Sequence, residues 1–344
     1  MKRYTLLAAL LPLLSYAHEA EDFPRPPKKE MTVEAQPWVK NCVAEPYLEA
    51  DFIYWEVKED GLEYISSGYG MLDNPVTSRG KIYFPDFKKS PGFRVGVGLN
   101  LAHDGWDVFL RYTWLYSRAK DSQEGSFSPI WTHSPNPLLS EVTHASVDWK
   151  IHLDVLDLEW GRNFYISRFL TLRPYFGLKG YWSDQNYVNQ NQGILFIDNQ
   201  TMNRGSQLTK YDQDAWGIGI RFGINTAWYL VRNWSVFANV AFANEWSRFD
   251  LKRRDIGTNL DQGVEALLVH TRLKDYYMVP IIELATGVRW EMWFNDDSYH
   301  ALIQAGWEEQ VWFDMNRMAG VFDDTSGRGY LQLQGLTFKF RFDF

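Results

Sequence analysis

The sequence predicts an all-β fold, a transmembrane antiparallel up-and-down β-barrel of about ten strands. Three observations carry that reading. From Leu336 onward Leu336, Phe338, Phe340, Phe342 and Phe344 alternate with Thr337, Lys339, Arg341 and Asp343. A period of two puts the apolar side chains on one face of a strand and the charges on the other. The chain also holds 16 Trp, 19 Tyr and 22 Phe, yet after its first residues nothing approaches the roughly eighteen apolar residues of a membrane helix. Alternation hides membrane-facing side chains from a hydropathy window. Finally, short turns and long connections take turns along the chain, as periplasmic turns and extracellular loops do in a barrel.

In chain order, Lys2 and Arg3 precede the apolar run Leu6 to Leu14 and then Ser15-Tyr16-Ala17. This reads as a secretory signal over residues 1–17, too short to span a membrane. Cleavage after Ala17 removes Lys2 and Arg3 and takes the formal charge from −8 to −10. An acidic exported protein is a poor partner for nucleic acid. Residues 18–44 contain FPRPPKKE without alternation and read as a periplasmic tail stiffened by proline. Cys42 is the single cysteine, so no internal disulfide forms; the thiol stays reduced or pairs between molecules.

The barrel is expected over residues 45–344. Strand one, from Tyr47 to about Lys58, sets Leu48, Ala50, Phe52 and Tyr54 opposite Glu49 and Asp51. Strand two sets Phe93, Val95, Val97, Leu99 and Leu101 opposite Arg94, Gly96, Gly98 and Asn100. His103-Asp104-Gly105 is a tight hairpin, since Asp-Gly tolerates positive φ. Strand three returns through Trp106, Val108, Leu110, Tyr112, Trp114 and Tyr116. In strand four, about Ala145 to Gly161, Val147, Trp149, Ile151, Leu153 and Val155 share a face; Leu156, Leu158 and Trp160 then continue it one residue out of phase, which suggests a β-bulge. Strand five follows from Leu170 to Trp182, and the Asn/Gln-rich stretch Asp184 to Asp212 reads as a long loop. Strand six (Trp216 to Trp228), strand seven (to about Phe249), a charged loop, strand eight (Ile282 to Met292), strand nine (Tyr299 to Phe313) and the closing strand complete ten. Twelve result if strands six and eight divide.

Alternation alone does not say which face meets solvent, and a lipocalin-like soluble barrel would put the apolar face inside. Glycine on the polar face, Trp and Tyr near strand ends, and strands longer than the roughly 5–6 residues of soluble sheets favour the membrane. Charges facing lipid would cost roughly 2–4 kcal/mol each at the midplane, so they are expected inside. The predicted pore-lining set is Arg94, Arg111, Lys150, Asp154, Arg173, Lys179, Arg221, Glu283, Arg289, Glu308, Lys339 and Arg341, with Glu49, Asp51, Asp107 and Glu291 on the same face. Either these charges pair and plug the lumen, or they line a water-filled path and set its ion preference. About eight strands are just filled by side chains and 16–18 leave a channel, so a ten-stranded pore is narrow.

Two other readings compete with a pore. Asp323-Asp324 in a predicted loop, with His133, His144 and His270 at or near others, would suit water activation by an outer-membrane protease; no nucleophile motif accompanies them. Asp-rich loops would suit calcium, but EF-hand spacing is absent from the sequence, and no cofactor or metal is expected. A structural or adhesive surface barrel with a charge-plugged lumen is the main alternative to a porin.

The final strand ending in Phe344 resembles the C-terminal signature by which assembly machinery reads bacterial outer-membrane barrels. The runs YLEADFIYWEVKEDGLEY (Tyr47 to Tyr64), SPGFRVGVGLNLAHDGWDVFLRYTWLYS (Ser90 to Ser117), VDWKIHLDVLDLEWGRNFYISRFLTLRPYFGLKGYW (Val147 to Trp182) and AWGIGIRFGINTAW (Ala215 to Trp228) are similar to the Legionella-type, MOMP-like outer membrane protein family. The resemblance implies a pore-forming barrel in the bacterial outer membrane. Its partners would be outer-membrane lipid, the assembly machinery and, compatibly, further copies of the chain. Chlamydial major outer membrane proteins are cysteine-rich and cross-linked; with Cys42 alone, this chain departs from that pattern.

Overall fold

The computed structural model describes residues 44–68, 79–102, 104–130, 139–197, 201–295, 299–318 and 328–344. The expected signal peptide, the tail through Val43, and His103, His133, Asp323 and Asp324 lie outside them. Among the described residues ten long strands form the wall: β1 (Ala44–Glu59), β2 (Lys89–Leu101), β3 (Trp106–Pro129), β4 (Leu139–Arg162), β5 (Leu170–Ile197), β6 (Thr201–Val231), β7 (Trp234–Asn259), β8 (Val264–Phe294), β9 (Tyr299–Arg317) and β10 (Arg328–Asp343). Each pairs antiparallel with its neighbours in sequence. The ring closes through β1, where Phe52 faces Phe338 of β10 on one side and Phe93 of β2 on the other. The closing strand therefore has no free edge, which resolves the hazard an exposed Phe-rich edge would pose.

Short turns join the strands at one end, and at the other end β7 and β8 are also joined by a short turn, residues 260–263, where a long charged loop was expected. Asp104 and Gly105 have φ of 59° and 70°, the two positive values a two-residue hairpin of this hand needs. Which face is outside is settled by exposure. Phe52, Phe93, Phe176, Ile218, Ile220, Phe222, Trp228, Leu336 and Phe338 are all exposed large apolar side chains on the outer wall. The apolar face meets lipid, as in a membrane barrel and unlike a lipocalin.

The strands are far longer than the sequence pattern indicates. Both β6 and β8 have 31 residues, where about 9–11 cross a membrane. Of the Asn/Gln-rich stretch Asp184 to Asp212, expected as a loop, the described residues 184–197 and 201–212 are the paired continuation of β5 and β6, with Asn186 opposite Asp212 and Tyr187 opposite Tyr211. The expected charged loop after Phe249 likewise continues β7 and opens β8, and β3 and β4 extend through most of the Pro-containing connection between them. The physical reason is a reversal of polarity. Once a strand leaves the membrane its outer face must be polar, and its inner face is free to be apolar, so the hydrophobic period that marks a membrane strand inverts.

The same reversal removes the β-bulge expected near Val155. Pairing of β4 with β3 and β5 runs without slip from Ser146 to Gly161. Val147, Trp149, Ile151, Leu153 and Val155 point inward, while Leu156 and Trp160 point outward to lipid. The two apolar runs are opposite faces of one regular strand.

Candidate functional site

The interior has two storeys. Where the outer wall is apolar the inner wall is charged, and where the outer wall turns polar the inner wall is mainly apolar, with buried polar pairs such as Gln185–Glu59 and Arg253–Asp255 set into it. In the lower storey two of the inward-facing cations, Arg94 and Arg221, share their face of the strand with glycines. Strand β2 brings Arg94 with Gly92, Gly96 and Gly98, and β6 brings Arg221 with Gly217, Gly219 and Gly223. The glycines make room for neighbours: a Cβ on Gly98 would lie 2.0 Å from the Tyr47 ring, and one on Gly217 would lie 2.4 Å from Ser247 Oγ.

The charges form a connected network. Arg94 makes a two-pronged pair with Glu308, both N–H···O distances 2.7 Å. Lys179 Nζ donates to Asp157 at 3.0 Å and to Glu283 at 2.8 Å. Arg221 donates to Glu283 at 2.6 Å and also to Glu159, while Arg111 holds Asp157 at 2.6 Å. Arg173 joins Asp107 (2.8 Å) to Glu159 (3.0 Å). Lys339 donates to Glu49 at 2.6 Å, and Arg341 reaches Asp343. Arg289 donates to Gln304 at 3.2–3.3 Å. Paired, hydrogen-bonded geometry of this kind is what makes buried charge tolerable. Asp51 and Glu245 are exceptions: at 4% and 0% exposure neither carboxylate accepts a hydrogen bond from the described residues, and Arg94 lies 4.0 Å from Asp51.

Ten of the twelve residues predicted to line a pore thus face the interior: Arg94, Arg111, Arg173, Lys179, Arg221, Glu283, Arg289, Glu308, Lys339 and Arg341. Lys150 and Asp154 do not. They share the even, outward face of β4, where Asp154 accepts a hydrogen bond from the outward Tyr112. The correction follows from the missing bulge, because continuing the apolar run through Val155 assigns the wrong face. The inward acids of β4 are Asp157 and Glu159, which the sequence reading passed over. The change from Val155 to Asp157 along one face was the available signal.

These charges surround a cavity of about 180 Å³ whose lining includes Asp51, Arg111, Arg221, Arg289 and Lys339. Above it the path narrows to a space of about 10 Å³ between Arg94, Asp157, Lys179, Trp55 and Leu153, room for about one water at most. The upper storey then closes. Trp55, Trp149, Trp312, Tyr181, Tyr187, Phe249, Leu331 and Met315 are each at most 1% exposed and belong to one continuous apolar cluster. Trp312 packs edge-on against Tyr181, centroids 5.1 Å apart, and Lys179 lies 5.5 Å from its ring. This aromatic collar is the feature sequence reasoning missed altogether. Of these, Trp149 falls in an apolar run expected to face lipid, Tyr187 in a stretch expected to be a loop, and Trp55 on the face of β1 that carries Glu49 and Asp51.

Of the histidines raised as hydrolytic candidates, the two among the described residues lie on different strands. His144 is on β4, 3.7 Å from Glu124, and His270 is exposed on β8. Phe344 is about half exposed, packs edge-on against Phe342 at 5.0 Å, and its N–H bonds the Pro46 carbonyl at 3.3 Å, tying the chain's end to β1.

Residues 42–344 match the sequence profile of the family described as Legionella pneumophila major outer membrane protein precursor. Among solved structures the chain is similar to the outer membrane protease OmpT of Escherichia coli, at 10% identity and a TM-score of 0.41, covering 87% of this chain and 96% of that one. It is also similar to a major outer membrane protein of Thermus thermophilus (11% identity, TM-score 0.29, 87% and 98% covered). A third likeness is to the toluene transporter TodX of Pseudomonas putida (7% identity, TM-score 0.28, 87% and 89% covered). At TM-scores below 0.5 these likenesses carry no argument about activity. No curated protein matches the chain.

Proposed function

Because the chain belongs to the Legionella major outer membrane protein family and so resides in the bacterial outer membrane, we propose that it is a narrow channel for ions and small polar solutes, held shut at rest by its aromatic collar. The observation that carries this reading is the charged lower lumen around an unfilled cavity of about 180 Å³. A barrel serving only as a wall is stabilised as well or better by a packed apolar core, since desolvating ion pairs offsets much of their attraction. Retaining so many charges at membrane depth is characteristic of ion pathways. The collar supplies a dry constriction, which blocks ions by excluding water and opens when it is hydrated.

The second reading, a structural or surface barrel with a plugged lumen, is favoured by the constriction of about 10 Å³ and the collar above it. Conductance of the refolded mature chain in a planar bilayer, under a salt gradient, separates the two. A channel gives small or infrequent steps that enlarge in Trp312→Ala with Trp149→Ala. In Arg111→Ala its reversal potential moves toward cation preference; Asp157 keeps Lys179 as a partner there, so the barrel stays folded. Folded protein that passes no current, with the collar intact or trimmed, overturns the channel and leaves the structural barrel.

A further inference from the structure

Just above the lipid-facing band, the outer wall of β6, β7 and β8 carries a patch of cations that register alone would disfavour. Lys210 of β6 faces Arg254 of β7, which in turn faces His270 of β8. Two residues nearer the membrane, Lys252 of β7 faces Arg272 of β8 on one side and Asp212 of β6 on the other. Like charges directly opposite one another destabilise a sheet, so two such pairs in adjacent rows indicate an anion that the chain does not itself supply in full. Asp214 accepts from Lys252 at 3.0 Å and Asp250 accepts from Arg272, but Lys210, Arg254 and Lys274 make no ion pair among the described residues. All five cations are exposed. They gather in a chain whose formal net charge is −8.

Position identifies the anion. Directly below the patch Trp246 stacks on Tyr276, ring centroids 5.5 Å apart, and meets Trp216 edge-on at 5.8 Å. Such an aromatic row marks the membrane–water interface. The patch therefore lies at headgroup level on the side of the long strands, facing lipid and not the lumen. Neighbouring strands are about 4.8 Å apart and like-facing residues about 7 Å apart along a strand, so the cations spread over an area that spans more than one phosphate. We propose that this patch docks the phosphorylated headgroup of an outer-leaflet glycolipid, with Lys210, Lys252, Arg254 and Arg272 on the phosphates and the Trp246–Tyr276 pair against the upper acyl chains. The proposal rests on the barrel's orientation in the membrane and is independent of whether the lumen conducts.

The test uses refolded protein in neutral detergent, incubated with bisphosphorylated lipid A, the same glycolipid stripped of phosphate, or phosphatidylglycerol, with bound lipid read by native mass spectrometry. Bisphosphorylated lipid A is expected to bind at least about tenfold more tightly than either alternative, since each basic group near the surface adds to the attraction. The variant Lys210→Gln/Lys252→Gln/Arg254→Gln/Arg272→Gln is expected to lose about tenfold or more. Asp250→Asn, which adds no cation but removes one of the patch's competing carboxylates, is expected to bind more tightly and needs no disruption of the fold. Equal binding of phosphate-free glycolipid, equal binding of phosphatidylglycerol, or an unchanged affinity in Asp250→Asn and the quadruple variant would each overturn the proposal.

Discussion

Gln185 of β5 donates a hydrogen bond from Nε2 to Glu59 Oε1 of β1 at 3.1 Å, across the upper storey of the barrel. Both side chains are enclosed, Glu59 at 1% exposure, and Glu59 lies five residues beyond Tyr54, the last apolar residue of β1 on the lipid face. Burial pushes the Glu59 carboxyl up to about 8; the Gln185 bond opposes that rise and the neighbouring Asp60 charge adds to it.

A carboxyl whose folded pKa lies above its unfolded value favours the folded state when protonated. The unfolded chain releases this proton near pH 4–5, the folded barrel only near 8, so stability from this group is greatest in acid and declines across that window. Urea midpoints in lipid vesicles are expected to fall between pH 5 and 8, by roughly 1–3 kcal/mol in unfolding free energy. Glu59→Gln, which keeps a neutral hydrogen-bonding group, is expected to flatten the profile. An unchanged pH slope in the variant would assign the effect to other groups.

Arg221 is the lumen cation on which most carboxylates depend, bonded to Glu159 and Glu283 with Asp157 at 3.8 Å. Arg221→Ala leaves buried carboxylates short of a counter-charge and is expected to cost about 3–5 kcal/mol in unfolding free energy. Arg289→Ala removes a cation whose hydrogen-bond partner is the neutral Gln304 and is expected to cost much less. Equal losses would show that the network is not organised around Arg221.

Gly98 faces the Tyr47 ring, which stacks on Phe109 with centroids 5.6 Å apart. Gly98→Val forces that stack aside in a closed wall, at an expected cost of at least about 1–3 kcal/mol. Cold and boiled samples on a detergent gel would show a smaller folded fraction. Full folding yield would mean the stack has somewhere to move.

Phe344 is expected to act in assembly more than in stability. Because its ring is half exposed at the lipid face, Phe344→Ala should change the unfolding free energy of refolded protein by no more than about 0.5 kcal/mol. The same variant should slow insertion by the assembly machinery in cells. A normal insertion rate would remove Phe344 from that role.

Much of the wall was legible because its chemistry repeats at short range. In β2, Phe93 to Leu101 alternates without interruption with Arg94, Gly96, Gly98 and Asn100, and both face and strand follow from that alone. Strand β4 shows where such reading ends. Its apolar run changes face between Val155 and Leu156, and period two reports the change without its cause. A bulge and a reversal of environment look identical in one dimension; they differ in whether Asp154 or Asp157 enters the lumen. The extensions of β5 to β8 were illegible for a related reason. Their outer residues, among them Asn186, Asp212 and Lys252, carry the composition of loops because they face water.

By itself the sequence determined a closed antiparallel barrel of about ten strands, most of its lipid-facing side chains and most of the cations within, since each depends on alternation along one strand and on turns of a few residues. The tertiary structure decided everything that joins strands far apart in the chain. Lys179 and Glu283 are separated by 104 residues and Arg94 and Glu308 by 214, and they meet only because the ring closes. The collar of Trp55, Trp149 and Trp312 draws on three strands in the same way. Whether an inward aromatic lies against a partner or leaves an opening depends on barrel width and strand stagger, quantities that belong to the assembled ring and to no strand alone.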